Sequence, residues 1–274
     1  MSLTDYDAVR ATPGMPATVE SIRADLSAIG VSKGMVLLAH SSLSSLGWVC
    51  GGPIAVIMAI EEALGAEGTL VMPSYSSDLS DPSYWQHPPV PEAWWPVIRL
   101  SMPGFDPKFT PTRDVGVIPE CFRNQDGTRR SSHPSDSFAA RGPHSEFITA
   151  NHSLDFPMGD DSPLARIYEL NGWILLLGAT FGCASSLHLA EFRAKCSGKK
   201  EVKQGAPVIQ DGIRKWLEFT DLDTDDSDFS LIGSDFTKET GLVRSGRVAN
   251  AAALLLPQRE FVDYAVQWME KNRR

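Results

Sequence analysis

Cysteine is scarce in this chain: four residues, Cys50, Cys121, Cys183 and Cys196, none of them in a C-x-x-C pair. That spacing excludes zinc-ribbon and thioredoxin-type sites, gives no disulfide framework, and fits a reducing, cytoplasmic compartment. Basic charge is in deficit, with 25 Lys and Arg against 34 Asp and Glu and a formal net charge of −9. A general nucleic-acid binder shows the reverse, a basic stripe that follows phosphates, so no nucleic-acid partner is expected. An acidic surface favours cationic or neutral partners instead. Long apolar runs are missing too. Stretches such as Trp173–Leu177 and Ala251–Leu256 fall far short of the roughly 18 residues a membrane span needs. The opening MSLTDYDAVR carries Asp5 and lacks the apolar core of a secretory signal, so neither membrane insertion nor export is expected. The ordinary nucleotide motifs, G-x-x-x-x-G-K-[ST] and G-x-G-x-x-G, are absent.

What is present is ordinary globular material: 274 residues, 42% hydrophobic and 22% charged. A chain of this size buries about three quarters of its unfolded surface and needs no metal or disulfide to hold its fold. Val19–Ile29 repeats apolar residues at helical spacing, and Gly30 is a stop signal. Met35–Ala39 reads as a buried strand, Pro53–Leu64 as a helix opened by Gly51, Gly52 and a first-turn proline, and TLVMP (69–73) as a second strand. This βαβ order implies a parallel sheet covered by helices. Ten prolines between Pro73 and Pro119 mark a long irregular insertion, about 74–114, of the kind that serves as a lid or binding segment. Ser137–Ala140 and Trp173–Gly178 read as further strands, Pro163–Leu170 and Ser185–Lys195 as helices. A strand–turn–strand and a terminal helix close the chain. There is no internal repeat and no Gly/Ser linker. The expectation is one α/β domain over 1–274, a three-layer α/β/α arrangement with a largely parallel central sheet.

Several segments carry chemistry. His40–Gly47 (HSSLSSLG) lies between a strand and a helix, where such folds bind ligands. Its hydroxyls and free amides suit a phosphate, although a plain βα turn has the same composition. In Ser185–Glu191 (SSLHLAE), Ser185 is a natural helix cap, and His188 and Glu191, three apart, share a helix face. A carboxylate fixes the tautomer of a histidine, and a helix N-terminus favours its neutral form, the two needs of a general base. An exposed surface pair fits the same spacing. Cys183 is a second nucleophile candidate, or an inert thiol. His133 reads as a loop-orienting residue and His152 as part of a helix approach; with His188 they lack metal-ligand spacing, and no metal is expected. Asp221–Asp226 (DLDTDD) begins like a calcium loop, but Asp226 replaces its Gly and Ile232 its bidentate Glu, leaving a solvated acidic turn.

HSSLSSLGWVCGG, TLVMPSYS, TPTRDVGVIPE, RSSHPSDSFAARGP, GDDSPLARIYELNGWILLLG and SSLHLAEFRA, in this order from about Val19 to Trp268, together resemble the aminoglycoside 3-N-acetyltransferase family. The resemblance implies an acetyl-CoA-dependent N-acetyltransferase with a fold of its own, distinct from the GNAT enzymes. It implies that His188 is the base, steadied by Glu191, and that the amine attacks the thioester directly. Ser41, Ser42, Leu43, Ser44 and Gly47 would hold coenzyme A, with Ser74 and Thr112 as neighbouring contacts. Ser186 or a nearby amide would stabilise the oxyanion. The Trp/Pro-rich insertion looks like that of a bacterial subgroup; Asp78 and Asp81 within it are the candidate contacts for a cationic acceptor, and its exposed tryptophans are compatible with a homodimer. One stretch departs from the family: Phe181-Gly182-Cys183-Ala184-Ser185 replaces the usual His-Asp or Tyr-Asp followed by Ser-Asn-Thr. The missing Asp predicts weak acetylation of common aminoglycosides. Two rivals remain: a Cys183-dependent acyltransferase, and a coenzyme A binding protein without turnover.

Overall fold

The computed structural model describes residues 5–12 and 14–273. Two short strand–helix units set up the sheet. Helix α1 (Asp5–Arg10) precedes α2 (Val19–Ala28), which opens on a reciprocal cap between Thr18 and Ser21. Strand β1 (Val36–Ser41) follows, then helix α3 (Gly52–Leu64) and strand β2 (Thr69–Pro73). Gly51 enters α3 with φ 91° and Pro53 occupies its first turn, a conformation and a residue suited to a helix start. The insertion holds one short helix, α4 (Trp95–Ser101), and ends in α5 (Val117–Arg123). Strands β3 (Arg129–Arg130) and β4 (Phe138–Arg141) come next, followed by helices α6 (Ser145–Thr149) and α7 (Pro163–Glu169), strand β5 (Trp173–Leu177) and helix α8 (Ser186–Arg193). A hairpin of β6 (Glu201–Gln210) and β7 (Ile213–Leu222), helix α9 (Phe229–Thr240), strands β8 (Arg244–Val248) and β9 (Ala251–Pro257), and helix α10 (Gln258–Asn272) complete the chain.

The main sheet has seven strands in the order β3-β4-β2-β1-β5-β9-β8. β1 pairs in parallel with β2 and β5, while β4 and β9 run against their neighbours, so five of the seven strands point one way. Along β1 the side chains alternate: Leu37 and Ala39 enter one core with α2 and α3, Val36 and Leu38 another with α7, α8, α9 and α10. Burial on both faces is why the strand reads as a continuous apolar run. The carboxyl ends of β1, β2 and β5 lie together at one edge. The antiparallel β4 begins at that same edge, which brings the SHPSDS loop to it.

Two expectations are corrected here. The stretch between α8 and the terminal strands contains the β6–β7 hairpin and helix α9, neither of which the sequence reading identified. The hairpin turns on Asp211 and Gly212, with φ 54° and 75°, the left-handed pair of a two-residue type I′ turn. The insertion is also less irregular than its prolines suggest, since Pro96 sits in the first turn of α4. It is fastened to the body by Arg130, which donates to the carbonyls of Ser74 (2.6 Å) and Thr110 (2.6 Å) and to the Ser76 hydroxyl (2.8 Å). Arg214 of the hairpin donates to the carbonyls of Met102 and Arg99. No helix among the described residues is long and apolar enough to cross a membrane.

Candidate active site

Two clefts open at the carboxyl edge of the parallel strands. One, of about 290 Å³, is lined by His40, Ser41, Tyr75, Cys183, Ser185 and His188 among others. The other, of about 540 Å³, is lined by Ser41, Ser42, Leu43, Ser44, Gly47 and Trp48, with Gly116 and Val117 opposite. Ser41, Asp114 and Val115 border both, so the clefts join.

His188 stands in the first turn of α8. Its Nδ1 lies 2.7 Å from Oε2 of Glu191, whose side chain is buried. Oε1 of Glu191 accepts from Arg273 Nη1 (2.6 Å) and from the amide of Asp225 (2.9 Å). Burial alone would push the Glu191 carboxyl up; the bonds from His188, Arg273 and Asp225 outweigh it and hold the group below the usual glutamate range. An ionised Glu191 requires a proton on Nδ1, leaving Nε2 with the free lone pair. The Phe229 ring meets the imidazole edge-on, with centroids 4.9 Å apart. His40 lies nearby; burial, then the neighbouring His188, depress it to about 4, and it is neutral. Nε2 of His40 and Oγ of Ser41 are buried without a hydrogen-bond partner among the described residues. Buried polar atoms of this kind suit a polar ligand entering the cleft.

Ser185 occupies the cap position of α8 but makes no capping bond. Its hydroxyl lies instead 2.5 Å from the Tyr75 hydroxyl. Burial keeps the Tyr75 phenol well above its ordinary range, so it remains a donor. The adjacent Ser186 is fully buried and its Oγ accepts from Gln258 Nε2 (3.0 Å). Ser186, the expected oxyanion donor, therefore does not line the cleft, whereas Ser185 does.

Ser41, Ser42, Leu43, Ser44 and Gly47, the residues expected to hold a coenzyme, all line the larger cleft. Gly47 has φ 78°, and a Cβ there would meet Asn250 and Thr12 at 2.6 Å, so only glycine fits. Ser74 and Thr112 do not line either cleft. Ser74 is fully buried, and Thr112 gives both its amide and its hydroxyl to Glu120. Asp78 and Asp81, the expected acceptor contacts, line neither cleft. Asp81 is held by Arg99 (2.7 Å) and caps a turn at Ser83, while Asp78 pairs with Arg113 on the surface.

Besides Glu191, the carboxylates of Asp136 and Asp221 lie close enough to feel the charge of His188. Asp221 does not belong to a solvated turn: it is half-buried on β7, and burial, then the charge of Asp136, push it up to about 7. Asp136 is raised by burial and its amide donates to His133 Nδ1 (3.0 Å). His133 orients the loop, as expected, and its ring lies 5.2 Å from that of His152. Burial holds His133 at about 4 and His152 at about 3, both neutral. No cluster of three or more His, Cys, Asp or Glu among the described residues could hold a metal.

Residues 38–270 match the sequence model of the aminoglycoside 3-N-acetyltransferase family. The chain is 44% identical to the SPbeta prophage-derived aminoglycoside N(3')-acetyltransferase-like protein YokD of Bacillus subtilis, over 94% of each chain. It is 35% identical to aminoglycoside N(3)-acetyltransferase VII of Streptomyces paromomycinus, over 94% of this chain and 93% of that protein. The crystal structure of YokD superimposes with a TM-score of 0.94, covering 97% of this chain and 98% of that one. A binary complex of AAC-IIIb with CoASH superimposes with a TM-score of 0.85 at 31% identity, over 94% and 98%.

Proposed function

The chain belongs to the aminoglycoside 3-N-acetyltransferase family, and from that premise we propose that it acetylates an amine of a cationic, aminoglycoside-type acceptor, with His188 as general base. Coenzyme A lies along the larger cleft, on Ser41, Ser42, Leu43, Ser44 and Gly47, and its thioester reaches the junction of the clefts. The acceptor amine attacks the thioester carbonyl carbon, forming the C–N bond, and His188 Nε2 takes its proton. Tyr75 and Ser185 supply hydroxyl protons for the oxyanion. Collapse breaks the C–S bond, and the imidazolium returns its proton to the coenzyme A thiolate. Asp136 and Asp221 attract the ammonium groups of the acceptor. The observation that carries the reading is the buried Glu191 fixing His188 in the smaller cleft, which joins the larger one at Ser41.

Phe181 packs on Phe261, with ring centroids 5.8 Å apart, and offers no carboxylate where the family commonly has one. Gentamicin-class drugs should accordingly be turned over weakly, and other cationic amines better. A panel of amines, aminoglycosides included, followed by release of free thiol from acetyl-CoA, tests this. Tight coenzyme A binding with no turnover across the panel would leave a binding protein.

The exposed Cys183 lines the same cleft as His188, which favours a second reading, acetyl transfer through that thiol. One equivalent of acetyl label on Cys183 in the absence of acceptor would establish it. The proposal also places the enzyme in the cytoplasm, the compartment of acetyl-CoA, and as a homodimer through α4 and the residue before it, where Trp94, Val97 and Leu100 are exposed; sedimentation analysis reads the latter.

A further inference from the structure

Arg273 follows helix α10, 82 residues from Glu191 in the chain, and its guanidinium makes four hydrogen bonds to three residues: Glu191, Asp225 and both carboxylate oxygens of Asp228. Nη1 donates to Oε1 of Glu191 at 2.6 Å, Nε to Oδ2 of Asp228 at 2.8 Å, and Nη2 to the carbonyl of Asp225 at 2.7 Å. Asp225 in turn gives its amide to the same Glu191 oxygen. One carboxylate oxygen of Glu191 is thus committed to His188, and the other to a clamp built by Arg273. We propose that Arg273 is a positioning residue of the acetyl transfer, holding Glu191 ionised and in register so that His188 presents Nε2 to the amine. The proposal rests on the reading of His188 as the base.

A carboxylate that is 5% exposed is stable only when its oxygens are paired. Without the guanidinium, Oε1 would keep one amide donor. Glu191 also borders a cavity of about 310 Å³ shared with Cys196, Lys199 and Arg273, on the side away from the clefts. Arg273 lines the same cavity beside the carboxylate, so its removal opens more of Glu191 to water. The guanidinium also counters part of the negative charge that Glu191 directs at the imidazole. Other titratable groups facing His188 are His40, Asp136, Asp221 and Asp114, which shares its cleft. Deleting Arg273 leaves these in place and changes only the charge behind Glu191.

The test is Arg273→Ala beside Arg273→Lys, with His188→Ala as reference, in steady-state kinetics across pH. Arg273→Ala should lower kcat by about tenfold or more while KM for acetyl-CoA stays within about twofold. The acid limb of its kcat/KM profile should shift from the parent's, because the charge behind the Glu191–His188 pair has changed. Ethylguanidinium should restore part of the turnover, because the vacated space adjoins an existing cavity. Arg273→Lys should retain more turnover than the alanine variant. An unchanged kcat overturns the proposal. So does a loss that parallels lower Tm and weaker coenzyme A binding, is equal in both variants and is indifferent to ethylguanidinium, because that is a role in folding alone. If His188→Ala keeps normal turnover, the base assignment itself fails and there is nothing for Arg273 to position.

Discussion

The Tyr75 hydroxyl lies 2.5 Å from the Ser185 hydroxyl, joining the segment after β2 to the cap of α8 across 110 residues. Each can donate, so the pair keeps a proton to spare for the cleft that both line. The helix forgoes a side-chain cap to make this contact, which by itself would have contributed about 1 kcal/mol.

Tyr75→Phe should therefore lower kcat by roughly 10²-fold, the loss typical of one oxyanion donor, with KM for acetyl-CoA nearly unchanged. Ser186→Ala should do the opposite, reducing stability by about 1 kcal/mol through the lost Gln258 bond and leaving kcat close to normal. Kinetics and thermal unfolding of the two variants check both halves. Equal kcat in Tyr75→Phe and the parent would remove the phenol from the reaction.

The loop of the larger cleft gives a prediction about binding alone. Ser42 and Ser44 exchange a hydrogen bond at 3.1 Å, and Ser45 donates to Ser42 at 3.0 Å. Ser42→Trp would fill the cleft and break both contacts without reaching His188. KM for acetyl-CoA should rise by about tenfold or more, and KM for the amine far less. If neither constant moves, the loop is an ordinary turn.

The parts of this site that are local in the chain were legible in the sequence. The β1–α3–β2 unit, the serine loop after β1 and the His188–Glu191 pair each depend on spacing within a dozen residues or so. The proposed acceptor side was not legible. Asp136 and Asp221 are 85 residues apart, and they meet because β4 runs antiparallel to β2 while the β6–β7 hairpin folds over the edge; no spacing in one sequence encodes that. The hairpin did leave a signal in Asp211-Gly212. It was obscured because only Gly205, Ala206 and Pro207 of β6 are buried, so the strand lacks apolar alternation. The shift from Ser186 to Ser185 has another origin. Both serines fit a helix start, and only the tertiary partners, Tyr75 for one and Gln258 for the other, decide which faces the cleft.

Asp221 makes the pH dependence specific. Its carboxyl is raised in the fold from 3.8 to about 7. The protonated form is the one the fold favours, so its stabilising contribution is complete below about pH 4 and is lost as pH rises through about 7. Asp221→Asn should gain stability relative to the parent over that window. In the parent, KM for a cationic acceptor should fall as Asp221 ionises, and binding should release protons, read by calorimetry in buffers of different ionisation enthalpy. The asparagine variant should lose this component. An identical pH profile for KM in both proteins would place Asp221 outside the acceptor site.

The strongest requirement falls on His188. An amine must lose a proton as it attacks, and its free base is scarce near neutrality, so a positioned base contributes about 10²–10⁴-fold to such a step. Glu191 fixes Nδ1 at 2.7 Å, and the ring is wedged against Phe229; only Nε2 is left to act. His188→Ala should cost at least about a hundredfold in kcat. Coenzyme A affinity by calorimetry should persist, because the serine loop lies on β1 and α3 rather than on α8. Glu191→Gln should cost less than His188→Ala, since it weakens the hold on the imidazole and retains the base. Near-parental turnover in His188→Ala would take the histidine out of catalysis. Loss of turnover together with coenzyme A binding would assign it to the fold, because a base acts on the amine and leaves the affinity of the separate coenzyme loop intact.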